Sequence, residues 1–122
     1  MVKRKIMVVD DEENILILVS KILDSQGFEV ITADSGHDCL ETLKKEKPDL
    51  LILDVMMPGM SGIDAAETIR ANPETRGMRI VFLTVVRSGE TVQDRLKRIK
   101  ALDYIEKPFD NHDLVARVKK LL

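Results

Sequence analysis

Four sets of residues in this chain have types and spacing that could do chemistry together: Asp10-Asp11, Asp54, Thr84 and Lys107. Each follows a short, mostly apolar run. Ile6-Met7-Val8-Val9 ends on Asp10-Asp11, Leu50-Leu51-Ile52-Leu53 on Asp54, and Ile80-Val81-Phe82-Leu83 on Thr84. A more polar run, Asp103-Tyr104-Ile105-Glu106, ends on Lys107-Pro108. Three carboxylates brought together repel, and one takes up a proton unless a cation is supplied. Lys107 neutralises one charge. A hard divalent ion suits the remainder, and Mg²⁺ fits a site of few carboxylates, retained waters and a phosphate ligand. The set holds neither histidine nor cysteine, so hydrolytic acid–base chemistry is poorly served. It serves an aspartate nucleophile that accepts a phosphoryl group, because such transfer depends on positioning and charge neutralisation. Mg²⁺ and Lys107 would stabilise the equatorial oxygens, and the Thr84 hydroxyl could donate to one of them.

These residues meet only if the elements that carry them are arranged in one way. Runs this short and apolar read as parallel strands buried on both faces, and Pro58, Gly59 and Gly62 then force the chain out of the sheet. Glu13 to Gln26 places Ile15, Leu18, Val19, Ile22 and Leu23 at helical spacing, with acidic residues at its start and Gly27 closing it. Phe28 to Thr32 reads as a strand. Ser35 caps a helix to about Lys47, with Leu40 and Leu43 inward, ended by Pro48. Ser61 caps the next helix, whose inner face is Ile63, Ala66 and Ile69. After a looser region, Val85 to Glu90, a helix carries Val92, Leu96 and Ile99. Asp110 caps the last helix, with Asp113 three residues on and Leu114, Val115, Val118 and Leu121 inward. Five strands alternating with five helices give an α/β fold, a parallel sheet covered on both faces. For Asp10, Asp11 and Asp54 to meet, the first and third strands must be neighbours and the second must lie at the edge. That creates a topological switch point at the carboxylates, where open α/β sheets bind ligands.

The rest of the composition narrows the reading by exclusion. A chain of 122 residues fits one domain spanning residues 1–122. A net charge of −2 gives no general attraction to nucleic acid or to an anionic membrane. One cysteine, Cys39, and two histidines, His37 and His112, argue against a zinc site; the lone thiol suits a reducing, cytoplasmic compartment. The first apolar run stops after four residues at Asp10-Asp11-Glu12-Glu13, too short for a signal peptide or a membrane span. Taken singly, each motif has a plainer reading. Asp10-Asp11 alone is a helix-start acidic pair, Asp54 a turn residue, Tyr104 a half-buried strand aromatic, and Met56, Met57 and Met60 packing residues. The basic set Arg95, Lys97, Arg98 and Lys100 reads as a solvated helix face, with partner docking the alternative.

Taken together, four separated motifs closely resemble the receiver domain of two-component response regulators along the whole chain: Val8-Val9-Asp10-Asp11-Glu12, Leu53-Asp54-Val55-Met56-Met57-Pro58-Gly59, Leu83-Thr84, and Tyr104-Ile105-Glu106-Lys107-Pro108-Phe109. The resemblance implies a doubly wound, flavodoxin-like sheet of order 2-1-3-4-5. It implies that Asp54 accepts a phosphoryl group from a phosphohistidine, supplied by a sensor histidine kinase or phosphotransfer protein. Asp11, Asp54 and the Met56 backbone carbonyl would bind Mg²⁺, with Asp10 holding a metal-bound water. Lys107 would pair with the phosphoryl group, and the Lys107–Pro108 bond is expected to be cis. Thr84 and Tyr104 match the family's switch pair, biasing a surface of helix four, strand five and helix five toward a downstream protein or a fused output domain. The resemblance implies no direct contact with nucleic acid or membrane, and no turnover beyond the domain's own phosphorylation and dephosphorylation.

Two positions depart from the family pattern. The residue after Thr84 is usually small but is Val85 here, followed by Val86. That bulk is expected to narrow access to the phosphoryl group and slow its hydrolysis. The usual Gly-Ala before the fifth strand is Lys100-Ala101. Two rival functions are weaker. A Mg²⁺-dependent phosphatase with an aspartyl nucleophile would place a second acid two residues after it, where Met56 stands. A flavin-binding domain would need a phosphate cradle after the first strand, where Asp10-Asp11-Glu12-Glu13 would repel phosphate.

Overall fold

The two apolar faces of one sheet decide where the described helices of this protein sit. The computed structural model describes residues 3–85 and 96–122. Val86, Val92 and Arg95 lie outside the described residues. Five parallel strands, β1 (Lys5–Val9), β2 (Glu29–Ala33), β3 (Leu50–Asp54), β4 (Ile80–Thr84) and β5 (Asp103–Glu106), are ordered β2-β1-β3-β4-β5. Alternate strand residues face opposite layers. Met7, Val9, Leu51, Leu53, Ile80 and Phe82 pack on one side against α2 (Gly36–Leu43), α3 (Gly62–Ala71) and the helical residues 96–99, which we label α4. Ile6, Val8, Leu50, Ile52, Val81 and Leu83 pack on the other side, against α1 (Glu13–Ser25) and α5 (Asn111–Leu121). With both faces covered, β3 and β4 are buried from end to end, which is why they read as unbroken apolar runs.

Helix starts follow the side-chain caps. Ser35 accepts from the Asp38 backbone N–H, and Asp110 accepts from that of Asp113. Ser61 and Asp64 form a reciprocal capping box. Helix ends are less faithful to the sequence. α2 stops at Leu43, four residues short of the expected Lys47, because the Lys44 N–H turns back onto Glu41 and tightens the last turn. Leu18, expected at helical spacing with the apolar residues of α1, is exposed beside Ile17; Val19 and Leu23 carry the burial. Leu40, Val115 and Leu121 are only half-buried. α1 ends at a glycine with reason: Gly27 has φ +89°. At the end of α4 the chain makes the same left-handed turn with Lys100, at φ +57°. That is the position where the family pattern has glycine, so α4 ends there without the residue best suited to end it. No helix among the described residues is long and apolar enough to cross a membrane.

Candidate functional site: an acidic cluster at the sheet's carboxyl edge

Register brings the site together before any side chain does. Val9 of β1 pairs with Leu53 of β3, so Asp10 and Asp54 leave neighbouring strands side by side. Asp54 pairs with Leu83, which sets Thr84 one residue further along β4. The ladder continues past β5, where the Lys107 N–H donates to the Thr84 carbonyl at 2.9 Å and fixes Lys107 beside that strand end. The Lys107–Pro108 peptide is cis.

The side chains then converge. Lys107 Nζ donates to Asp10 Oδ2 at 2.6 Å and lies 3.3 Å from Asp54 Oδ1, with its side chain only 10 % exposed. Asp10, Asp11 and Asp54 each offer a carboxylate oxygen within 4.8 Å of the others. Asp10 and Asp54 are buried, Asp54 with 3 % of its surface exposed, while Asp11 opens to solvent. Burial pushes the Asp54 carboxyl up from 3.8 to about 7, and the Asp10 charge adds to it; Lys107 and the Met56 backbone N–H oppose the rise. Burial alone would lower the Lys107 pKa, but its bond to Asp10 and the charges of Asp54 and Asp10 outweigh that and hold it above the ordinary value. Hard oxygen ligands, two buried and one facing water, with more negative charge than one ammonium balances, are a donor set that fits Mg²⁺.

Several residues that shape this cluster carry no chemical signal in the sequence. The Glu12 backbone N–H donates to Asp10 Oδ1 at 2.9 Å and orients it, and the Glu12 carboxylate lies 3.9 Å from Lys107 Nζ. Gly62 starts α3 directly on the strand end; its N–H donates to the Val55 carbonyl, and a Cβ there would overlap the Asp54 backbone carbonyl. The signal for it was the Gly after Pro58 and Ser61, legible as a loop residue but not as a close approach.

Other sequence candidates lie away from the cluster. Tyr104 is not in it: its ring stacks on Phe82, centroids 6.0 Å apart and planes 12° apart, and remains partly exposed. Met57 is buried and Met60 packs against Gly36, but the Met56 side chain is 59 % exposed. Cys39 is buried, which pushes its thiol up to about 12, and both histidines are exposed.

The sheet order and this carboxyl-edge cluster define a class, and the chain belongs to the response regulator receiver domain family, whose model matches residues 6–119. The chain is a receiver domain of two-component response regulators, a phosphoacceptor signalling module. It is 43 % identical over 118 residues to the phosphate regulon transcriptional regulatory protein PhoB of Rhizobium meliloti, covering 97 % of this chain and 52 % of that one. The chain thus spans about half the length of that relative. Its structure is similar to the chemotaxis response regulator CheY4 of Vibrio cholerae, with TM-score 0.90, 31 % identity and 99 % and 100 % of the two chains covered. It is also similar to the response regulator protein TrrA of Thermotoga maritima in complex with Mg²⁺-BeF, with TM-score 0.83, 36 % identity and 98 % and 99 % covered. Receiver domains bind Mg²⁺ at an acidic pocket and interact with histidine kinases or phosphotransfer proteins and with output domains.

Proposed function

We propose that Asp54 is the phosphoacceptor of this receiver, and that residues 1–122 act as one cytoplasmic receiver unit. One observation carries the reading: Lys107 Nζ stands between Asp10 and Asp54, at 2.6 and 3.3 Å, within a three-carboxylate cluster. An Asp54 oxygen attacks the phosphorus of a phosphohistidine on a sensor kinase or phosphotransfer protein. The new O–P bond forms as the P–N bond breaks, and the imidazole nitrogen keeps the electron pair. Asp10, Asp11, Asp54 and the Met56 carbonyl would hold Mg²⁺, which supplies neutralisation of the phosphoryl oxygens. Lys107 pairs with the phosphoryl oxygens from its held position, and Thr84 at the neighbouring strand end donates its hydroxyl to one of them. The buried flank of the cluster limits water around Asp54, which strengthens each of these interactions.

Tyr104, two residues before Glu106 on the strand paired with Thr84, reports the added dianion to the α4–β5–α5 surface. That surface acts on a downstream protein or on an output domain fused beyond this chain, and the receiver itself makes no direct contact with nucleic acid. The phosphatase alternative is not favoured, because the position that would supply a general acid is Met56. Intact mass after incubation with Mg²⁺ and acetyl phosphate tests the proposal beside Asp54→Asn. One added phosphoryl group, lost in the variant and on chelation, is expected. Addition that survives in Asp54→Asn, or none from either acetyl phosphate or a phosphorylated kinase, overturns it.

A further inference from the structure

At the opposite end of the sheet from the carboxylates, a cavity of about 420 Å³ is lined by Arg70, Arg76, Arg79, Arg98 and Lys100. Among the described residues no acidic side chain lines it. This is a segregation of charge rather than an excess of it, since the whole chain carries 19 basic and 21 acidic residues. Gathering five cations around one concavity is unfavourable unless an anion enters.

The arginine at its base is fixed in place. Arg70, near the end of α3, donates from Nε to the Ile99 carbonyl at 2.6 Å and from Nη1 to the carbonyls of Arg76 and Met78 at 2.8 and 2.7 Å. Those three bonds leave Nη2 without a partner among the described residues, on a guanidinium that has already lost its rotamer freedom. The other cations are weakly engaged. Arg98 lies 4.0 Å from Glu67, Arg79 makes a 3.3 Å bond to the Leu121 carbonyl, and Arg76 and Lys100 have no ion-pair partner among the described residues. The neighbouring cleft, which shares Arg79, mixes Arg4, Lys44 and Lys47 with Glu46, Asp49 and Glu74, so it lacks the single sign of charge.

We propose that this arginine-lined cavity is a binding site for a compact polyanion of the oligophosphate class. Guanidinium forks match phosphate oxygens in pairs, and an arginine already held in place spends less entropy on each bond. The volume suits a small ligand rather than a track along a polymer. Its apolar lining is Met78 and Leu102, with no aromatic ring on which a base could stack, so recognition rests on the phosphate groups.

Calorimetric titration of the protein with sodium tripolyphosphate, in metal-free buffer at fixed ionic strength, tests the site. Arg76→Ala combined with Lys100→Gly is the informative variant. Arg76 is exposed and Lys100 already has a glycine-like φ, so the fold is spared, whereas Arg70→Ala would also release the end of α4. Saturable binding that weakens tenfold or more in the double variant, with amide NMR shifts confined to residues 70–79 and 98–102, is expected. ATP should bind as tripolyphosphate does. The proposal falls if sodium sulfate at equal ionic strength reproduces the signal, if the double variant binds unchanged, or if a 20-base-pair duplex binds where tripolyphosphate does not.

Discussion

Replacing Asp54 with Asn should stabilise the metal-free protein at pH 8 and leave it nearly unchanged at pH 5. The wild-type carboxyl is raised from 3.8 to about 7 by burial first and by Asp10 second. A carboxyl whose folded-state pKa is raised contributes its full stability below the unfolded value and loses it as pH climbs through the folded value. The loss therefore runs from about pH 4 to a plateau above about pH 7. At roughly 1.4 kcal/mol for each tenfold change, the ionised group costs the folded state at most about 4 kcal/mol at pH 8, against about 2 at pH 5. Asn keeps the shape without the charge, and the rise to about 7 is already net of Lys107; what remains to set against the gain is the poorer fit of an amide beside that ammonium, which retains Asp10 at 2.6 Å. Setting about 1–2 kcal/mol against the gain leaves a net stabilisation of about 2–3 kcal/mol at pH 8, or roughly 6–12 °C in Tm for a domain of this size. Urea unfolding in EDTA at pH 5 and pH 8 measures it. Added Mg²⁺ should stabilise wild type by RT ln(1 + [L]/Kd) and the variant far less, narrowing or reversing the difference. A variant that is less stable than wild type at pH 8 in EDTA would refute the charge argument and make Asp54 an ordinary buried partner of Lys107.

Three further perturbations probe what surrounds that carboxyl. Gly62→Ala sets a methyl against the Asp54 backbone, so it should cost about 2–3 kcal/mol in urea unfolding and slow phosphorylation together; a neutral effect on both would mean that α3 shifts freely. Lys100→Gly relieves a left-handed φ of +57° and should stabilise by about 0.5–1 kcal/mol, read as a shift in the urea midpoint without a change in slope. Val85, 62 % exposed directly after Thr84, is expected to slow hydrolysis of the phosphoryl group by its bulk. Val85→Ala should shorten the phosphoryl lifetime about threefold or more, an effect on the order of 0.7 kcal/mol in the barrier, and an unchanged lifetime removes the idea.

What was legible in the sequence was whatever repeats along a strand or stops it. The site's carboxylates, hydroxyl and ammonium each end a run of strand residues, so the convergence of the carboxylates with Lys107, and the place of Thr84 at the neighbouring strand end, follow from the strand pattern and the order β2-β1-β3-β4-β5. What was not legible lives in the backbone. The Glu12 and Met56 N–H groups that orient Asp10 and Asp54 belong to every residue alike, so side-chain identity carries no trace of them. The close seat of Gly62 on the Asp54 carbonyl is likewise a distance between main chains. α2 ends at Leu43 because a tightened turn wins over the helix propensity of Lys44 to Lys47, and Lys100 adopts a φ that its type does not advertise. Leu18 shows the limit of periodicity, since an apolar residue on the edge of a helical stripe can end outside it.

The charge count of the cluster links its stability to its chemistry. Three carboxylates and one ammonium leave two uncompensated negative charges in a partly buried site, where burial first and the Asp10 charge second raise the Asp54 pKa. On the proposed reading, a divalent cation held there would cancel that excess, both stabilising the fold and favouring the ionised Asp54 carboxylate that attack requires. Phosphorylation of Asp54 would replace one negative charge with nearly two, restoring an excess that the same cation would offset. By linkage, whatever factor Mg²⁺ adds to the equilibrium for phosphorylating Asp54 must reappear as tighter Mg²⁺ binding to the phosphorylated domain. Lys107 cannot substitute for the cation in this, because one ammonium already divided between Asp10 and Asp54 has a single charge to give.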